Sequence, residues 1–398
     1  MKKKHNILIF NGGRGAKNII NVFKKNKNIN IYSIVNAYDD GKSTGNLRDI
    51  FGTLGPSDIR KVQKLFIPNN SNYKEILKLF DLRIQNISKK IFFEEIDSFI
   101  KLNKKDLFGI KLPQKKIKEF LKVNLKYFYN YIFSDKSRYR KLNVKDLSLI
   151  NCVYVSSILK NNNKISKSID DFNRIFNLSN STFCISDDIR FLCALEKPNR
   201  VYFTEEQIVE KRSNSNIQDI YLLKKKLNVN RFKKLSFLNK KEFLEKNNSS
   251  PKIDNEIIKL IKKANAIIYS PGTQHSSLYP TYKHNNLAKY IKRNKTCKKI
   301  FITNIGADYE TPNYDSYDYV NGAFKYLSNK NKKYKFEDFF DYILVNNPGK
   351  NTQDKYVKHY PEKFEKIKTK IKFQNFESKV YKDEHDGKKI YNFIMNLL

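Results

Sequence analysis

The sequence predicts an α/β fold built on a mostly parallel sheet and interrupted by a helical insertion. Three observations predict it. Apolar runs such as Ile7-Leu8-Ile9-Phe10 and Ala266-Ile267-Ile268-Tyr269 are continuous rather than alternating, as in strands buried on both faces beneath helices. The first run leads through a glycine turn and an amphipathic stretch to a second run, the order of a βαβ unit. From residue 69 to about 143 the period of the apolar residues becomes that of helices. With 398 residues, 40% hydrophobic and 14% aromatic, the chain can bury a sizeable core, and the expectation is one domain over 1–398 that contains the 69–143 insertion.

Taken in order, Asn6 to Phe10 is a strand, Asn11 to Gly15 a turn, the region around Ile19 to Phe23 a helix, and Ile31 to Val35 a second strand. In the insertion, Ile76, Phe80, Ile84, Ile87 and Ile91 recur at helical spacing, and Ile117, Leu121, Leu125, Phe128 and Ile132 do so again after Pro113. The Lys/Tyr/Phe interleaving from Lys122 to Phe133 also suits base stacking, but aromatic stripes at helical period are core far more often. Beyond the insertion, Val201 to Phe203 reads as a short strand, Lys246 to Lys252 as a polar linker and Ile253 to Lys263 as a helix. Strands follow at Ala266 to Tyr269, Lys299 to Ile305 and Tyr342 to Val345, then a break at Asn346 to Lys350 and an amphipathic helix from Lys388 to Leu398. An open parallel sheet carries its ligands at the carboxyl ends of its strands.

The net charge of +38 is spread along the whole length among asparagines and isoleucines, which describes a diffusely basic surface rather than a nucleic-acid stripe. No RRM, KH or zinc signature accompanies it, so no specific nucleic-acid partner is expected. Cys152, Cys184, Cys193 and Cys297 form no CxxC pair and read as buried thiols of a reducing compartment. The apolar run after the basic MKKKH start is too short for a signal or a membrane span, and no later run reaches spanning length. A cytoplasmic protein without a membrane partner is expected.

Three loops fall at the ligand-bearing edge. In NGGRG, Gly12, Gly13 and Gly15 allow backbone N–H groups to face an anion, and Arg14 and Lys17 add charge; the alternative is a tight turn and no more. The strict dinucleotide fingerprint fails, because Asn18 replaces its last glycine and Asn36 its ribose-binding acid. In NAYDDGKSTG, Gly41-Lys42-Ser43 copies the tail of a P-loop, but Asn36 stands where its first glycine belongs and Asp39 and Asp40 carry the wrong charge for a phosphate nest. Asp39, Asp40 and Asp58, with no cysteine or histidine nearby, suit a hard cation such as Mg²⁺, while Arg48 and Arg60 suit phosphate oxygens. The alternative is that Asp39 or Asp40 caps the next helix and Asp58 the one beginning near Ile59. The third loop, SPGTQHSSLYP, offers hydroxyls and N–H groups ahead of a helix, suited to a diphosphate or sugar hydroxyls; His275 is an acid-base candidate or a plain hydrogen-bonding group.

Together with ITNIGADYET and FDYILVNN, these stretches resemble the CofD/YvcK family, with its GGTG turn, its ADDGGSSGRLR segment running into PPGDIR, and its GPGSLYTSIIPNL loop. The resemblance implies a Rossmann-like three-layer fold. One branch of the family is 2-phospho-L-lactate transferase, which with Mg²⁺ passes a phospholactyl group from a guanosine-diphosphate-linked donor to a deazaflavin hydroxyl and releases GMP. The other is the gluconeogenesis-factor type, regarded as a non-catalytic binder of nucleotide sugars. The resemblance implies Asp39, Asp40 and Asp58 as catalytic and metal residues. It implies Gly12, Gly13, Arg14, Gly15, Ser43, Arg48, Arg60, Ser270, Gly272, Thr273, Ser276 and Asn304 as the phosphate and nucleotide set. The implied partner is a GDP- or UDP-type small molecule, with a homodimer left open. Departures are Arg14 for the threonine of GGTG, Lys42 for the second glycine of DDGG, Tyr309 for a glycine and Tyr319 for a histidine. GPSDIR lies closer to the regulatory branch than to the enzyme's SPDLDT, which leaves the deazaflavin substrate open.

Overall fold

The computed structural model describes residues 4–68, 70–102, 104–112, 114–179, 181–196, 200–349 and 355–398. Asn69 and Pro113, expected at the start and middle of the insertion, and Lys350, expected in the last break, lie outside the described residues. Seven strands make the central sheet: β1 His5–Phe10, β2 Ile29–Val35, β3 Thr182–Cys184, β4 Ala266–Tyr269, β5 Lys298–Ile302, β6 Tyr342–Asn346 and β7 Lys370–Gln374. Every neighbouring pair is parallel, in the order β3-β2-β1-β4-β5-β6-β7. The chain builds outward from β1 in one direction, returns to the middle, and builds outward from β4 in the other.

Successive side chains of each buried strand serve opposite faces. Ile7, Ile9, Ala266 and Ile268 pack with Ile19, Ile20 and Phe23 of helix α1 (Lys17–Phe23) and with Ile390 and Ile394 of the C-terminal helix Gly387–Met395. Leu8, Phe10, Ile267 and Tyr269 face the other way, into a cluster that runs on through Phe92, Leu121 and Phe128 of the insertion. The result is three layers, an α/β Rossmann-like architecture.

The insertion contains helices Lys74–Asp81, Lys89–Lys101, Lys115–Phe133 and Lys136–Lys141. Its second apolar stripe lies as expected, with Ile117, Leu121, Leu125, Phe128 and Ile132 fully buried on one helix. The first stripe does not form a single helix. The chain leaves the helical path at Leu82, Arg83–Ile84 pairs with Leu147–Ser148, and Ser88 caps a new helix by accepting from Ile91 N at 3.2 Å. Ile91 is left half exposed, so its place in the helical period was coincidence. The strand expected at Val201 to Phe203 exists as Arg200–Tyr202, but in a separate antiparallel sheet with Phe191–Glu196 and Ile217–Leu223. The four cysteines are free and buried. Among the described residues no helix is long and apolar enough to cross a membrane.

Candidate functional site

Strand order reverses between β1 and β4, and in open α/β sheets the crevice at such a reversal, beyond the carboxyl ends, is where ligands bind. The loops leaving those two strands are in direct contact. A Cβ on Gly15 would stand 2.0 Å from the carbonyl oxygen of Pro271, and Gly12 lies against Ser277, so only glycine lets the first loop close on the third. Gly13 has φ +108, and a Cβ there would meet Asp58 Oδ1 at 2.9 Å. Asn11 shapes the turn by accepting from Gly13 N at 3.1 Å.

The second loop is bound to the third by Asn36. Its amide donates to the Ser277 carbonyl and to Thr281 Oγ1 at 3.1 Å, and its oxygen accepts from Tyr38 N at 2.9 Å. Asp39 Oδ1 accepts from Gly41 N at 2.9 Å, an Asx turn, and the helix α2 (Lys42–Phe51) that follows has no side-chain cap. Asp40 instead accepts from Glu205 N at 2.7 Å and Glu206 N at 3.3 Å, at the start of the short helix Glu205–Val209. Glu206 returns the contact by accepting from Lys42 N at 3.1 Å. Lys42 has φ +37, in the left-handed region that favours glycine. Ser43 is buried in the first turn of α2.

Of the two arginines, Arg48 gives both terminal nitrogens to backbone and leaves its Nε buried without a partner. It donates to the carbonyls of Tyr38 at 2.7 Å, Asp39 at 3.2 Å and Arg190 at 2.8 Å, and so braces the aspartate loop. Arg60 gives Nη1 to the Phe80 carbonyl, and its Nε is buried without a partner. Asp58 lies in the first turn of helix α3 (Ser57–Phe66), not at its cap, and pairs with Lys61 at 2.7 Å.

In the third loop Gly272, at φ +144, donates to Asn304 Oδ1 at 2.9 Å and accepts from Asn304 Nδ2 at 3.1 Å, which ties this loop to the end of β5. Gln274–Leu278 then forms one wide turn of π type, a geometry common at functional sites. Thr273 Oγ1 bonds Ser277 Oγ at 3.0 Å, and Ser270 Oγ donates to Pro271 O at 3.2 Å. The N–H groups of His275 and Ser276, expected to receive a phosphate, already donate to Glu310 Oε2 at 2.9 and 3.0 Å. A carboxylate of the chain fills that nest. His275 is wholly buried beside Tyr279 and Tyr314, and burial pushes its pKa down to about 3, so it stays neutral.

Sequence reasoning missed two carboxylates of this edge. Glu205 Oε2 and Asp39 Oδ1 flank Gly41, at 3.5 and 3.3 Å from where its Cβ would be. Burial, and then the charges of Asp39, Asp58, Asp40 and Glu310, raise the Glu205 pKa to about 10. Burial raises Asp40 to about 6 against the pull of Arg48, and burial together with Asp308 raises Glu310 to about 7. Asp58 is raised by burial and opposed by Lys61. Glu310 stands inside ITNIGADYET, but Glu205 lies in no recognisable motif, and only the folded chain brings it here.

Beside the junction of the loops opens a cavity of about 1190 Å³ whose wall includes Gly13, Arg14, Gly15, Arg60, Gly272 and Asn304, with Lys17, Lys61 and Lys64. Of the expected site residues, those six line the cavity. Asp58 adjoins it through Gly13 and Lys61, whereas Asp39, Asp40, Ser43, Arg48, Thr273 and Ser276 lie off it.

A Rossmann-like sheet with glycine-mediated loop contacts and a cavity walled by lysines and arginines at its switch point defines the class as an open α/β protein. Residues 7–384 match the family model described as 2-phospho-L-lactate transferase CofD, and the chain belongs to the CofD family. Among solved structures it is similar to a UPF0052 family protein from Bacillus halodurans, at TM-score 0.69 and 17% identity, over 98% of this chain and 100% of that one. A second crystal structure of the Bacillus halodurans protein matches at TM-score 0.68 and 17% identity, over 99% and 100%. No curated protein matches the chain.

Proposed function

We propose that the protein is a CofD-like transferase that takes a nucleoside-diphosphate-linked donor with Mg²⁺ at the carboxyl ends of β1, β2 and β4. The observation that carries this reading is the closure of the Gly12–Gly15 turn onto the Pro271–Gly272 peptide beside Asp58, next to a cavity walled by Arg14 and Arg60. The Gly13 and Gly15 backbone and the two arginines would bind and orient the diphosphate, and Arg60, braced on Phe80, would hold its charge in a fixed place. Asp39, Asp58 and Glu205 are oxygen donors of the kind Mg²⁺ takes. Burial first, and then the charges of Asp39, Asp58, Asp40 and Glu310, hold the Glu205 pKa up, a crowding of acids that a bound cation would relieve. Among the described residues no three such side chains are grouped closely enough to hold an ion alone. The Mg²⁺ proposed here would use one or two carboxylates and complete its shell with substrate phosphates and water. Bound there, the ion would neutralise charge on the transferring phosphoryl group. Asp40, tied to two backbone N–H groups, would set the position of Glu205 rather than meet the ligand.

The Asp58–Lys61 pair favours a second reading, in which the chain binds a nucleotide sugar without turning it over, as a regulator of the gluconeogenesis-factor type. One experiment separates the two. Asp39→Asn keeps the Asx-turn acceptor and removes the charge. GDP- and UDP-linked compounds are expected to raise the melting temperature of the wild type more with Mg²⁺ than without, and Asp39→Asn to abolish that Mg²⁺ increment. Release of nucleoside monophosphate in the presence of a hydroxyl acceptor supports transfer, and its absence supports the regulator. Ligand stabilisation that is indifferent both to Mg²⁺ and to Asp39→Asn would remove the metal-diphosphate assignment.

A further inference from the structure

We propose that Tyr309 is the stacking platform for the nucleobase of the bound nucleotide. The inference rests on the nucleotide reading above and adds to it the residue that recognises the base. Tyr309 is 60% exposed, on the loop that leaves β5 only five residues after Asn304, and Asn304 to Ala307 wall the cavity. An exposed tyrosine on a free loop would be unremarkable, but the backbone here is fixed on both sides. The Lys211 ammonium, itself fully buried and paired with Glu196 at 3.4 Å, donates to the Tyr309 carbonyl at 3.1 Å. On the other side Glu310 is buried to 2% and its carboxylate holds the backbone of His275 and Ser276 in the third loop. Asp308 Oδ1 closes the turn by accepting from Glu310 N at 2.9 Å and Thr311 N at 3.0 Å. The ring is held as well, since the Arg212 guanidinium lies 4.1 Å from its centroid, a cation–π contact.

The Arg212 contact accounts for one face of the ring, and the residue as a whole remains 60% exposed. A fixed aromatic loses little conformational entropy on stacking, and every base has a π-face to offer. The neighbouring cavity supplies the cations for a diphosphate, and Tyr309 lies two residues beyond Ala307 of its wall, so the proposed nucleotide would set its phosphates against Arg14 and Gly13 and its base on Tyr309.

The chain contains no tryptophan, so Tyr309→Trp gives a single reporter at the platform. Nucleoside diphosphates are expected to quench its fluorescence on binding, while inorganic pyrophosphate, which has no base, leaves it unchanged. Calorimetry of the wild type, Tyr309→Ala and Tyr309→Phe should show nucleoside-diphosphate affinity falling about tenfold or more in the alanine variant and recovered in the phenylalanine variant, as for loss of one base stack. Pyrophosphate affinity should be the same in all three. Equal nucleotide affinity in Tyr309→Ala and wild type, or a quench by pyrophosphate equal to that by nucleotide, overturns the platform and leaves the diphosphate site standing. Failure of the wild type to bind either ligand overturns the underlying reading and the platform with it.

Discussion

Replacing Gly15 by alanine tests whether the candidate site depends on contact between the first and third loops. The φ of Gly15 lies outside the left-handed region, so alanine is unstrained there and the effect is steric. The added Cβ would stand 2.0 Å from Pro271 O, 2.8 Å from Pro271 C and 3.0 Å from Gly272 Cα, all of them backbone atoms. To restore an ordinary contact of 3.4 Å the two loops must part by 1.4 Å at the carbonyl oxygen, the difference of those two distances. The third loop cannot simply swing aside, because Gly272 is bonded through both its N–H and its carbonyl to Asn304. Overpacking of this kind costs about 1–3 kcal/mol, read as a lower urea midpoint with an unchanged slope. Calorimetry should show pyrophosphate affinity falling at least tenfold. Gly52→Ala is the control: at φ +63 with nothing within 4 Å it pays roughly 1 kcal/mol of left-handed backbone strain, and it should leave ligand affinity unchanged. If Gly15→Ala unfolds at the wild-type midpoint and binds pyrophosphate within twofold of wild type, the two loops are not the interlocked unit described here.

Lys42→Gly should stabilise the fold, because relief of a strained φ of +37 is worth on the order of 1 kcal/mol and is only partly offset by the freer unfolded chain. A lower denaturation midpoint than wild type would show that Lys42 is held there by contacts worth more than the strain. Glu205 keeps its proton in the folded protein up to about pH 10 but releases it near pH 4.5 when unfolded, so its contribution makes stability fall as pH rises through that interval. Glu205→Gln cannot titrate, and denaturation midpoints at pH 5, 7 and 9 should move progressively in favour of the variant; parallel profiles for variant and wild type would refute the buried acid cluster.

The strands that a reader of the sequence finds are those whose runs are apolar on both faces, β1, β2, β4, β5 and β6, because a parallel strand between two helical layers has no polar side. β7 escapes for the same reason in reverse. Its sequence KIKFQ belongs to the sheet edge, where Lys370, Lys372 and Phe373 are exposed and lysine blocks further pairing, so no buried pattern marks it. β3, at the opposite edge, has only three residues and follows a polar stretch. The helix Leu149–Lys160 is hidden by excess rather than absence. Its residues from Leu149 to Ile158 are buried all round, and a helix without a polar face gives no amphipathic period to detect.

The site was legible where one stretch of chain carries its own geometry, and illegible where geometry comes from partners far along the chain. The glycines at 12, 13 and 15 announce a turn, but the contacts that demand glycine come from Ser277, Asp58 and Pro271. Ser276 looked free to meet a phosphate because nothing in SPGTQHSSLYP reveals that Glu310 reaches its N–H. Asn36 shows why a departure from a motif can itself be informative. An acid at the end of β2 would read a ribose, but here the position is buried and its side chain must donate to Ser277 O and Thr281 Oγ1 while accepting from Tyr38 N. A carboxylate has no N–H to give, so an aspartate at this position would lose the donations to the Ser277 carbonyl and Thr281 Oγ1 and bring an uncompensated charge beside the two acceptors. The fingerprint residue is therefore missing for a structural reason: the end of β2 is committed to holding the second and third loops together, and an acid there would break that bond.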